Sequence, residues 1–190
     1  MKPYVDNMQG REVRATLLGI AQDGGRPQLG CARKCCMPAI RDASLSRHPV
    51  SLGLVGSDET THLLEASREM AWQFNLWHDI DPVDGPLDSV WITHAHLGHV
   101  DGLGLFGKEV VSANQLSLYC SQNFRVLIDK TPAWENLVQS KHLTPIVWNE
   151  NEEIYPSVGC NFSIKAVNVP HRSELSDTHA FIVRGPEKSL

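Results

Sequence analysis

Three of the nine histidines fall within six residues, as His94-Ala95-His96-Leu97-Gly98-His99, directly after the apolar segment Ser89-Val90-Trp91-Ile92. On extended backbone, residues i and i+2 project to the same side, so His94 and His96 can face one metal ion together. Imidazole is the commonest ligand for zinc and first-row metals, and a catalytic site takes three protein ligands while leaving a position for water or substrate. His171, at the end of another strand-like stretch, can complete such a set. The plain alternatives are an exposed turn for the cluster and ordinary polar surface for His171.

A second concentration of chemistry is Cys31, Cys35 and Cys36 in GCARKCCMPA. A closed structural zinc site takes four ligands, so three thiolates need one more, and His48 and His179 are the candidate donors. Reduced loop thiols and redox chemistry are the other readings. The five cysteines are an odd number, with Cys120 and Cys160 far from the cluster, which is not the pattern of a disulfide framework. The glycines of AQDGGRPQLG lack the Gly-Lys-Ser/Thr ending of a phosphate loop, so Gln22 and Asp23 are read as loop residues able to contact a substrate. Arg172 and Glu174, just past His171, are read as substrate contacts or as support for the ligand shell. No Gly-x-Ser-x-Gly elbow is present, which argues against a serine hydrolase.

The elements that must position these groups follow from apolar patterning. Strands are predicted over residues 13–20, 50–55, 61–64, 89–92, 116–120, 143–148, 160–169 and 178–183. Helices are predicted over 67–77, 123–129 and 133–139, the first carrying Met70, Trp72, Phe74 and Trp77 as core or interface residues. Pro82, Asp84, Gly85 and Pro86 close the unit before the histidine strand. Ligating residues at the C-terminal ends of buried strands are where α/β folds place their chemistry. The pattern predicts an α/β fold within one domain spanning residues 1–190.

With 190 residues, 42% of them hydrophobic, the chain is large enough to bury roughly 70% of the surface its unfolded form exposes. A metal here is therefore expected to be functional rather than a folding requirement. A net charge of -5 with no Lys/Arg run argues against a nucleic-acid partner, since that binding rests on a basic surface. No apolar run approaches the ~18–20 residues of a membrane span. The opening residues MKPYVDNMQGREVR lack the apolar core of a secretory signal, which predicts a cytoplasmic location.

The block THAHLGHVDG after its strand resembles the His-x-His-x-Asp-His signature of the metallo-β-lactamase-fold superfamily. LLGIAQDGGRPQLGC, CARKCC, THAHLGHVDGL and VPHRSELSDTHAFIVRGP, in that order, resemble the branch that includes pyrroloquinoline-quinone biosynthesis protein B. The resemblance implies a four-layer αββα sandwich with the site at strand ends between two sheets. It also implies His94, His96 and His171 as ligands of a first metal ion, His99 as a ligand of a second, and a structural zinc at the cysteines. The implied activity is metal-assisted hydrolysis of a small molecule, in which the ion lowers the pKa of bound water.

Two departures accompany the resemblance. Gly98 stands where the signature has an aspartate ligand, so one ion, or two held unequally, is expected; Asp101 is a candidate carboxylate that can approach the site if its segment is helical, the plain alternative being a helix-start carboxylate stabilised by the macrodipole. The strands that bring the family's later Asp and His ligands have no counterpart after RGP. The expectation is a member truncated at its C-terminus, or one whose missing ligands come from a partner chain; an unpaired sheet edge then favours a homo-oligomer. Zinc is the expected ion, with iron or manganese as alternatives. Two rival readings stay open: an iron-dependent oxidase or hydroxylase, and a non-catalytic metal-binding module.

Overall fold

The computed structural model describes residues 12–82 and 85–190. Of the opening residues MKPYVDNMQGREVR, those up to residue 11 lie outside the described residues, as does Asp84. Six strands form the first sheet in the order β1 (Arg14–Gly19), β2 (Ser51–Val55), β3 (Thr61–Leu64), β4 (Ser89–Trp91), β5 (Leu116–Cys120) and β6 (Leu143–Val147). The first three run antiparallel, and β3 to β6 are mutually parallel. A second sheet of three antiparallel strands contains β7 (Glu153–Ile154), β8 (Ser163–Asn168) and β9 (His179–Arg184).

The parallel strands are apolar on both faces because both faces are covered. Leu63, Val90 and Leu118 are register partners that enter one core, under the helices. One residue along, Leu64, Trp91 and Tyr119 are partners that enter the other core, between the two sheets. In this second core Trp91 stacks on Tyr119 at 3.8 Å with planes 4° apart, and Trp148 lies nearly parallel at 6.4 Å. Phe181 from β9 meets the Trp91 ring edge-on, so the aromatic group joins the sheets.

Helix α2 (Met70–Ile80) connects β3 to β4 and buries Met70, Gln73 and Trp77 along one stripe. It begins three residues later than the predicted start because Ser67 acts as a brace ahead of it, accepting from Glu69 N at 3.1 Å and donating to Gln73 at 2.6 Å. Trp72 points away and is 69% exposed, so only part of the predicted aromatic stripe is core. Helices α4 (Gln122–Lys130) and α5 (Pro132–Gln139) connect β5 to β6 on the same face of the sheet. Two short helices were not predicted: α1 (Met37–Arg41), and α3 (Leu97–Val100), which runs into a 3-10 turn over Asp101–Phe106.

The described residues thus build helices, sheet and sheet, and every helix among them precedes β6. No helix among them is long and apolar enough to cross a membrane.

Candidate metal centre

The histidine segment leaves the C-terminal end of β4, as the apolar run ending in Ile92 dictates, and is tied down from both sheets. His179 N donates to Thr93 O at 3.1 Å, Ala95 N donates to Ser176 Oγ at 3.0 Å, and Ala66 N donates to His99 O at 2.9 Å. The loop after β8 carries His171 to the same place. One nitrogen from each of His94, His96 and His171 lies within 4.8 Å of the others. The pair distances are 2.9 Å between His94 Nε2 and His96 Nδ1, and 3.3 Å between His171 Nε2 and His96 Nδ1. Donors ~2.0–2.1 Å from a tetrahedral zinc stand ~3.3 Å apart, so these three fit one ion.

The electrostatics keep His94 uncharged. Burial, and then the neighbouring His99, His96 and His171, push the pKa of His94 down to about 3, so its ring stays neutral at physiological pH. Its Nδ1 is engaged by Thr93 Oγ1 at 2.8 Å, leaving Nε2 for the site. The outer nitrogen of His96 meets Glu174 at 3.1 Å, and that contact holds the Glu174 carboxyl below the usual range. Arg172 in turn lies 3.5 Å from Glu174.

His99 stands beside the trio but not in it, with its ring 4.2 Å from that of His94. Its Nδ1 is 3.2 Å from Glu65 and its Nε2 3.5 Å from Asp23. Burial alone would lower its pKa, yet the Glu65 and Asp23 carboxylates outweigh burial and raise it. Gln22, Asp23, Arg172 and the four histidines line one open cleft of about 600 Å³. Glu174 touches the site through His96. Asp101 follows a helical segment, as its candidacy required, but its carboxylate is held by Arg68 at 2.9 Å and does not line the cleft.

The sulfurs of Cys31, Cys35 and Cys36 also gather within 4.8 Å. Neither suggested fourth donor joins them: His48 is held by Glu69, and His179 is buried beside Glu150 at 3.4 Å. Two groups escaped sequence reasoning. Glu65 is a lone carboxylate after a strand, with no spacing signal to mark it, and Glu150, Asp177 and His179 assemble a further trio only through the fold.

No protein-family model matches the chain, and no curated protein matches it. Solved structures do. Zn(2+)-bound PqqB from Methylobacterium extorquens superposes with a TM-score of 0.77 at 19% identity, over 92% of this chain and 62% of that one. The chain has the metallo-β-lactamase fold. A diphosphatase from the PhnP family matches with a TM-score of 0.65 at 16% identity, over 91% of this chain and 61% of that one. Human tRNase Z, short form, matches with a TM-score of 0.55 at 16% identity, over 92% and 66% of the respective chains. The PqqB match agrees with the branch that the four sequence blocks resemble. The chain spans about three fifths of the length of the first two structures.

Proposed function

We propose that the protein is a metal-dependent hydrolase acting on a small molecule. The observation that carries this reading is the convergence of His94 Nε2, His96 Nδ1 and His171 Nε2 at the wall of an open cleft. An ion bound there supplies Lewis acidity and lowers the pKa of water from ~15.7 towards ~7. The chain's own residues do the rest. Neutral His94 keeps its lone pair free, Thr93 fixes the orientation of that ring, and Glu174 steadies His96 from behind. Arg172 and Gln22 stand at the cleft wall, where a guanidinium can orient an anionic group of the substrate. The names of the matched proteins, a diphosphatase and a tRNase Z, support hydrolysis, and the Zn(2+)-bound PqqB supports zinc.

The test is reconstitution. Protein stripped by chelator is loaded with zinc, iron(II) or manganese(II) and offered ester, phosphodiester and lactam substrates. The expected result is turnover restored by zinc and reduced at least ~100-fold in His96→Ala, with the far-ultraviolet spectrum unchanged. Metal bound without turnover of any class would overturn the reading in favour of a binding module. Oxygen consumption with iron alone would overturn it in favour of an oxidase.

A further inference from the structure

Residue 98 is the position at which the resembled signature carries a carboxylate, and glycine occupies it for a visible reason. A Cβ built on Gly98 would lie within 2.5 Å of Asp23 Cα and Cγ, and closer still to its Cβ. Real Cβ atoms do not stand so near another carbon, so the loop after β1 already fills the volume a side chain at 98 would need. What fills it is itself an aspartate.

The Asp23 carboxylate faces the right group. Its Oδ1 is 3.5 Å from His99 Nε2, and it lines the same cleft as His94, His96 and His171. The opposite nitrogen of His99 is backed by Glu65 at 3.2 Å. Glu65 is 5% exposed and sits at φ 73°, in the left-handed region that non-glycine residues rarely adopt. A buried carboxylate behind one imidazole nitrogen is the arrangement that turns the other nitrogen toward a cation. The loop is also braced: Arg26 N donates to Arg47 O and Arg47 N to Arg26 O, each at 2.8 Å, and Ala21 N donates to His48 O at 2.9 Å.

We propose that Asp23 is the carboxylate ligand of a second cation position shared with His99, supplied by the β1 loop in place of the absent motif aspartate. This rests on the metal-site reading above and deepens it. Its consequence is a two-ion site whose members are held unequally, three imidazoles on one side against one imidazole and one carboxylate on the other.

The test titrates the stripped full chain with cobalt(II), whose thiolate complexes carry a charge-transfer band that counts ions at the cysteine cluster separately. The expected result for the unmodified protein is two equivalents without that band. Asp23→Asn, isosteric and neutral, and Asp23→Ser should each keep the first equivalent and weaken the second at least ~10-fold. Asp101→Asn, which removes the same charge from the residue paired with Arg68, should keep both. His94→Ala/His96→Ala should lose the first. Two unchanged dissociation constants in both Asp23 variants, or a single equivalent in the unmodified protein, would overturn the proposal while leaving the three-histidine site standing. No thiolate-free equivalent at all would overturn the hydrolase reading along with it.

Discussion

The imidazoles that converge were legible at the level of single residues because their signal is local. An i, i+2 pair after an apolar run has one natural geometry, and His171 was reachable through the resemblance of its surrounding block. Asp23 was legible only as a loop residue able to touch substrate, because its contact with Gly98 joins positions 75 apart in the chain. Glu65 carried no sequence signal at all. The close packing at Gly98 yields a prediction against consensus reasoning. Gly98→Asp, which rewrites the segment to match the superfamily signature, should not improve metal binding, and Gly98→Ala and Gly98→Asp should each destabilise the fold by about 1–3 kcal/mol through overpacking. Urea denaturation midpoints measure this directly, and a variant as stable as the parent would show that the Asp23 loop yields easily.

Strands were read well at the scale of elements, since β-branched and apolar runs mark sheets buried on both faces, and β2, β3 and β5 fall where predicted, to within a residue. The short α1 and α3 were missed because helices of four or five residues have no periodicity to detect; tertiary contacts shape them. Helix α4 shows how one side chain couples elements. Ser121 Oγ accepts from Phe124 N at 3.1 Å, capping the helix, and donates to Asp177 in the loop that follows His171. Removing an ordinary N-cap hydroxyl costs ~1 kcal/mol. Ser121→Ala should cost at least that in unfolding free energy, and it should also weaken metal affinity, since the loop bearing His171 loses an anchor. A purely local cap would change stability and leave metal affinity alone, and calorimetric titration separates the two.

For the molecule as a whole, acid sensitivity follows from its buried histidines. His62 is fully buried in β3, its Nδ1 2.7 Å from Ser89 Oγ and its Nε2 2.9 Å from Thr60 Oγ1. Burial pushes its pKa down to about 4, against the opposing pull of Asp88 and Asp58. The unfolded chain binds a proton at His62 below pH ~6.5 while the folded chain does not, so this contribution is complete above that value and is lost as pH falls towards about 4. The loss amounts to ~3 kcal/mol at most. Urea midpoints of metal-free protein between pH 7.5 and 4.5 should therefore fall more steeply for the parent than for His62→Gln. Equal slopes would place the acid sensitivity elsewhere.

The aromatic stack between the sheets gives the protein its own optical gauge. Trp91 and Tyr119, stacked 3.8 Å apart with nearly parallel planes, belong to the first sheet, while Phe181 reaches Trp91 from the second. Rings held so rigidly in a chiral setting produce strong near-ultraviolet circular dichroism. That signal disappears if the second sheet lifts away, even while the far-ultraviolet spectrum persists. Because His171 arrives from the second sheet's side and His94 and His96 from the first, an ion spanning them should sharpen the near-ultraviolet bands. Spectroscopy alone would then report the docking of the two halves, without label or substrate.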